Sequence, residues 1–195
     1  MRFFAPGACM LALLAILTIG LVPAQAATIY STDVPQTIPD LATATSTLIA
    51  PSFTITDINV LITDLRHSWD SDIAISIQGP SGTSVLLFSH AGGSGDNLIG
   101  TTFDDSALTS INSGSAPFTG FFIPASALSA FNGENSAGAW TLTVADTVGG
   151  DSGVLNGWGI EINGGVPAEV PEPATFAMLG AGLAGLALLN KVRRG

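Results

Sequence analysis

Hydrophobic positions follow two patterns along this chain. At the ends they are continuous: Ala8 to Val22 and Ala174 to Leu189 are apolar runs. Between them they alternate. Ile73, Ile75 and Ile77 exchange with Ala74, Ser76 and Gln78, and Val85-Leu86-Leu87-Phe88 follows the turn sequence Gly79-Pro80-Ser81-Gly82, which predicts a β-hairpin. Phe53-Thr54-Ile55 and Ile58 to Ile62 predict an earlier strand. Trp140, Leu142 and Val144 alternate with Thr141, Thr143 and Ala145, Gly149 to Gly153 turns the chain, and Trp158, Ile160 and Ile162 alternate again, which predicts a second hairpin. The middle of the chain shows no sustained helical period and no internal repeat, and Gly, Pro, Ser and Asp breaks recur at short intervals. An antiparallel β-sandwich is the expected architecture. Trp140 and Trp158, each leading an alternating apolar strand, are expected inside it.

The terminal runs stand apart from that domain. Arg2, the apolar stretch and Pro23-Ala24-Gln25-Ala26 form the three regions of a secretory signal peptide over residues 1–26, a signal helix cut between Ala26 and Ala27. Cys9 leaves with it, and Pro6-Gly7-Ala8 before Cys9 is not a lipobox. The mature chain is then free of cysteine, so its core must hold an exported domain without disulfides. At the other end, residues 170–195 contain Val170-Pro171-Glu172-Pro173, an apolar run short for a bilayer span, and the basic tail Lys191, Arg193 and Arg194. A buried core helix would carry a polar face at 3.6-residue spacing, which this run lacks, so a transmembrane helix with a cytoplasmic stop is expected.

Charge narrows the function. The full chain of 195 residues has 15 acidic and 5 basic side chains, a formal charge of -10, and its positive mean hydropathy of +0.51 comes largely from the two ends. Residues 27–169 hold every acidic residue except Glu172 against Arg66 alone, which leaves a formal charge of -13. Phosphate binding needs clustered Lys and Arg, so nucleic acid is excluded as a partner, and the surface favours cations.

Several constellations offer chemistry. Gly150-Asp151-Ser152-Gly153 has the local look of a serine-protease nucleophile, with His67 and Asp64 or Asp70 as nominal partners, but it stands between two alternating strands, where Asp-Ser-Gly is turn chemistry. Thr83 stands where a Gly-x-Ser-x-Gly elbow needs its last glycine. His67 and His90 are the only imidazoles, so zinc would have to recruit carboxylates from across the fold, and ordinary surface or strand-end roles are expected for both. Calcium suits the loops better: Asp70, Asp72, Asp104, Asp105 and Asp146 are hard oxygen ligands that would form a site if their loops converge at one end of the sandwich, although the spacing is not that of an EF-hand. The other reading, turn-formers and solvated acids, stands beside it. Trp69, next to His67 and Asp70, is the one tryptophan placed to offer a sugar an aromatic platform.

Two resemblances add to this. Asp70-Ser71-Asp72-Ile73-Ala74-Ile75, Gly79-Pro80-Ser81-Gly82-Thr83, Phe103-Asp104-Asp105, Phe131-Asn132-Gly133-Glu134, Gly138-Ala139-Trp140-Thr141-Leu142, Asp146 and Asp151-Ser152-Gly153-Val154-Leu155-Asn156-Gly157-Trp158 resemble the proprotein convertase P domain (P/Homo B), in order, from about Ile55 to Ile162. That resemblance implies a jelly-roll β-sandwich, galactose-binding-like, over residues 27–169. Pro171-Glu172-Pro173, the transmembrane run and the basic tail resemble the PEP-CTERM sorting signal of Gram-negative bacteria, which implies an inner-membrane-anchored precursor cut by an exosortase and delivered to the cell surface or extracellular matrix. In the convertases a subtilisin-like protease domain precedes the P domain; here a signal peptide and about 30 residues stand in that place. The expectation is a non-catalytic, exported binding domain for exopolysaccharide or a surface protein. The alternative is an accessory domain that stabilises or regulates a separate subtilisin-like protease.

Overall fold

The computed structural model describes residues 24–165. Ten strands form two sheets. The first runs β1 (Ala24–Tyr30), β10 (Gly153–Gly165), β4 (Thr54–His67), β7 (Leu98–Phe103), β8 (Phe118–Phe122), with the short β2 (Gln36–Ile38) also on β10. The second runs β3 (Thr43–Ala50), β9 (Gly138–Asp146), β5 (Ile73–Gln78), β6 (Ser84–Ser89). The expected β-sandwich is present. The antiparallel expectation is corrected at one edge, where β7 and β8 run parallel because the 14-residue connection 104–117 carries the chain back across the sheet before pairing resumes.

Alternation in the sequence sets the layers. Side chains on a strand point to opposite faces, so a period-two apolar row becomes one buried face. Ile73, Ile75 and Ile77 of β5 and Trp140, Leu142 and Val144 of β9 supply one inner face, fully buried; Val60, Ile62 and Leu65 of β4 and Trp158, Ile160 and Ile162 of β10 supply the other. Both tryptophans are inside, as their positions predict. The Trp158 indole would be an unsatisfied donor there, and it donates instead to the Ser46 hydroxyl at 2.6 Å. Ser46 and Ser31 in turn bond Asp33. Partial burial tends to raise the Asp33 carboxyl, but those hydroxyls and the Thr47 amide outweigh it and hold the group below its ordinary value.

The predicted hairpin at Gly79 forms: Gln78 pairs with Ser84, the Gly79 amide donates to the Thr83 carbonyl at 2.9 Å, and Gly82 turns the chain with a φ of +95°. The second predicted hairpin does not. β9 pairs with β3 and β5, whereas β10 pairs with β1, β2 and β4 in the other sheet. Both strands carry a complete apolar row, and two such rows bury each other face to face better than side by side; residues 147–152 cross from sheet to sheet.

Ala24–Ala26 are the first three residues of β1, opposite Gly165, Gly164 and Asn163, so the expected cut before Ala27 falls within a strand, leaving Ala27–Tyr30 on β10. The rest of the expected signal helix, the Pro171-Glu172-Pro173 motif and the expected transmembrane helix lie outside the described residues. Among the described residues, no helix is long and apolar enough to cross a membrane.

Candidate functional site

One end of the sandwich gathers a group of titratable side chains. β4 ends there with His67, β9 with Asp146, the crossing loop contributes Asp151, and a 3-10 turn supplies Asp70 and Asp72. His67 and Asp146 continue inward-facing rows: Leu65 then His67, and Trp140, Leu142, Val144 then Asp146. A polar residue that prolongs a buried row is thus delivered to the rim of the core. The side chains of both are fully buried, and that of Asp151 is 18% exposed. His67 Nε2 lies 3.3 Å from Asp146 Oδ2 and 3.8 Å from Asp151 Oδ1. Among the described residues, these three form the group whose ligand atoms all lie within 4.8 Å of one another.

Each of the three is anchored through its other polar atom. His67 Nδ1 is 3.0 Å from the Trp69 carbonyl oxygen; the Trp69 amide nitrogen is also near, at 3.3 Å, but the shorter contact favours a proton on Nδ1. Asp146 Oδ1 accepts from the Val148 amide at 3.2 Å, and Asp151 Oδ2 accepts from the Ser68 hydroxyl at 2.8 Å. Asp151 Oδ1 is sealed from solvent and accepts no hydrogen bond.

The five carboxylates expected to meet are divided. Asp70, Asp72 and Asp146 stand at the His67 end. Asp104 and Asp105 stand beyond the opposite end of β7, where Asp104 Oδ1 accepts from the amide and hydroxyl of Ser106 and Asp105 accepts from the Leu128 and Ser129 amides, all at 2.7 or 2.8 Å. Asp105 thus spends both oxygens, and Asp104 its Oδ1, as cap and turn acceptors. Asp72 accepts from the Ser71 hydroxyl and, through its carbonyl, from Thr147. Asp70 is wholly buried; its Oδ1 accepts from the Asn97 amide at 2.9 Å, and its Oδ2 has no partner. Burial pushes the Asp70 carboxyl up to about 7, against the opposing pull of the Asn97 amide and of nearby His67, while Asp96 adds to the rise.

A surface role for His67 is corrected by its burial, and a strand-end position is where it stands. The phase of β4 was the available signal, since His67 falls in register with Leu65. Asp151 carried no such signal, because a crossing loop has no period. Its neighbour Ser152 belongs to the turn, and the His67 ring nitrogens face Trp69, Asp146 and Asp151.

Beside this cluster lies an open groove of about 520 Å³, lined by Ser68, Trp69, Asp72, Val148, Gly149, Gly150 and Asp151. Trp69 is 47% exposed and Val148 49%, so the groove joins an aromatic face to carboxylate walls.

A family model of the proprotein convertase P-domain matches residues 55–162, more than half of the chain. The chain belongs to the proprotein convertase P-domain family. The described P domain extends beyond that match at its N-terminal side, where β1 and β3 close the edges of the two sheets. The PEP-CTERM protein-sorting motif matches residues 169–194 and implies an exported, membrane-anchored precursor that an exosortase-type system processes. Leupeptin-inactivating enzyme 1 of Streptomyces exfoliatus is 29% identical over 111 residues, which takes in 57% of this chain and 18% of that enzyme. The P-domain chain thus spans under a fifth of that relative's length. A serine protease of Aeromonas sobria is similar at 20% identity over 74% of this chain, with TM-scores of 0.46 alone and 0.45 in complex with its chaperone ORF2, where 28% and 27% of the solved chains are covered.

Proposed function

We propose that this P-domain protein is an exported, non-catalytic binding module of jelly-roll type, handed over by its sorting signal and held at the cell surface or in the extracellular matrix, where the groove beside Trp69 takes sugar units of exopolysaccharide. The observation that carries this reading is the half-exposed Trp69 ring flanked by Asp72 and Asp151 in a domain that bears a sorting motif. An indole face packs against the C–H face of a sugar, and carboxylates accept from its hydroxyls. The strongly acidic surface repels anionic polymers and so favours neutral glycans. Calcium belongs to the same proposal, at the hard-oxygen turn of Asp70 and Asp72, where the unpartnered Asp70 oxygen supports it; melting with added Ca²⁺ against EDTA checks that part.

Retention on exopolysaccharide from the native cells tests the main reading. Trp69→Ala should abolish retention while leaving the melting temperature within a degree or two, since the side chain is half exposed. Equal retention by the variant would overturn it. The second reading, an accessory domain for a separate subtilisin-like protease, is supported by the family, the P-domain of proprotein convertases. Co-purification of a subtilisin-like chain, with no glycan retained, would favour it. Intact mass from envelope and medium checks the processing: loss of residues 1–26 and of everything beyond about Pro171 is expected.

A further inference from the structure

We infer that His67, Asp146 and Asp151 form a binding site for a divalent transition-metal ion of the zinc class, distinct from calcium and sharing only Asp151 with the lining of the sugar groove. Three features carry this. The first is convergence: one imidazole nitrogen and two carboxylate oxygens, from two strand ends and a loop, face a common point. The second is the way each ligand is held. His67 is anchored through Nδ1 on the Trp69 carbonyl, Asp146 through Oδ1 on the Val148 amide, and Asp151 through Oδ2 on the Ser68 hydroxyl. Every anchor uses the atom that points away from the common point, which is how outer hydrogen bonds fix a metal-binding imidazole and its carboxylate partners. The third is the deficit left when no ion is counted. With the proton on Nδ1, Nε2 has none to share with either carboxylate, and Asp151 Oδ1 stays sealed from water without a partner. One dication facing all three atoms removes that deficit.

Spacing and ligand type choose the ion. Zinc bonds nitrogen and oxygen at about 2.0–2.2 Å. At tetrahedral angles such bonds put neighbouring ligand atoms roughly 3.3–3.6 Å apart. The separations from His67 Nε2, 3.3 and 3.8 Å, bracket that range. Calcium takes oxygen ligands, so the central imidazole disfavours it. Imidazole with carboxylates suits Zn²⁺, Co²⁺ and Ni²⁺. Asp151 borders the Trp69 groove and His67 borders a smaller one of about 360 Å³, so open solvent comes close to the buried ligand atoms at two of the three residues.

The test uses the full-length protein in mild detergent, stripped with EDTA and titrated with Co²⁺ as a spectroscopic stand-in for Zn²⁺. One equivalent should bind with ligand-field absorption stronger than that of aqueous Co²⁺, Zn²⁺ should displace it, and excess Ca²⁺ should not. Asp151→Asn, in the crossing loop and partly exposed, should weaken binding by about tenfold or more. Ser68→Ala, which frees only the anchor of Asp151, should weaken it by less, with an unchanged melting curve for the metal-free protein. His90→Ala, a control for the other imidazole, should bind as the wild type does. A purely aqueous Co²⁺ spectrum overturns the site, as does displacement by Ca²⁺ as effective as by Zn²⁺. So does wild-type affinity in Asp151→Asn or, should that variant not fold, in Ser68→Ala. Retention on glycan is read separately with Trp69→Ala, so loss of the groove proposal leaves this one standing.

Discussion

The two ends of the sandwich treat their carboxylates in opposite ways. At the far end Asp105 gives both oxygens to backbone amides, of Leu128 and Ser129 at 2.8 Å each, and Glu134 gives both to hydroxyls, of Ser81 at 2.5 Å and Thr83 at 2.6 Å. At the His67 end Asp70 and Asp151 each keep one buried oxygen with no partner. Leaving a buried acceptor unmet costs about 1–3 kcal/mol, more for a charged one. A fold that satisfies such groups at one end has the means to satisfy them at the other. The difference teaches where to look for a ligand: carboxylates of the far end are spent on structure, and those of the near end are held ready by it.

The sharpest way to break the comparison is to disturb the near end without touching a carboxylate. A methyl group at Gly153 would run into the Arg66 carbonyl oxygen and stand 2.7 Å from His67 Cδ2, both on the neighbouring β4. Gly153→Ala should therefore cost on the order of 3 kcal/mol in urea unfolding, the largest effect anticipated for either end. Wild-type stability would mean that β10 does not press His67 into place. Next in size is the pH dependence of Asp70. Its carboxyl, raised to about 7, keeps a proton in the folded chain that the unfolded chain releases near the ordinary value of 3.8. The unfolded state then binds fewer protons, so this contribution to stability is greatest at acid pH, falls as pH rises from about 4 to 7 and is flat above. In metal-free buffer, Asp70→Asn should gain on the wild type between pH 5 and pH 8 by on the order of 2 kcal/mol. Parallel pH curves would show that the group ionises as freely folded as unfolded.

How much of this was legible in the sequence depends on the kind of signal. Strand rows were legible because burial on one face imposes a period of two: Ile73, Ile75, Ile77 and Trp140, Leu142, Val144 alternate in the sequence, Trp140 is expected inside on that ground, and both rows are buried. Pairing was legible only for the hairpin whose turn, Gly79 to Thr83, is tight enough to hold its strands together. The Gly149 to Gly153 turn reads much the same, yet its strands join different sheets, because local turn chemistry says where a chain bends and not which sheet it enters. The near-end cluster was half legible. Asp146 is legible as an acid beside a chain break, though as a loop acid rather than the end of β9, and His67 lies in phase with Leu65, but their meeting with Asp151 depends on two strand ends and a loop distant in sequence coming to one point. Asp104 and Asp105 show the converse: acids alike in type and loop setting, separated by the length of β7.

The smallest expected effect is also the one that most sharpens the contrast. Glu134 ties the β5–β6 turn to the 132–137 loop through the Ser81 and Thr83 hydroxyls, while its own carbonyl accepts from the Ile55 amide at 3.0 Å. Glu134→Gln keeps the shape and one acceptor oxygen, leaves that backbone bond in place, and removes a charge already opposed by many of the same sign. The hydroxyl bonds are near the surface, so their loss should cost under about 1 kcal/mol. The cost should be the same in EDTA, Zn²⁺ or Ca²⁺, since both oxygens of this side chain are occupied by the protein itself. Denaturant melts of wild type and variant under those three conditions check this. A metal-dependent difference between them would erase the distinction between the two ends, because a carboxylate with every partner present would then be answering to an ion.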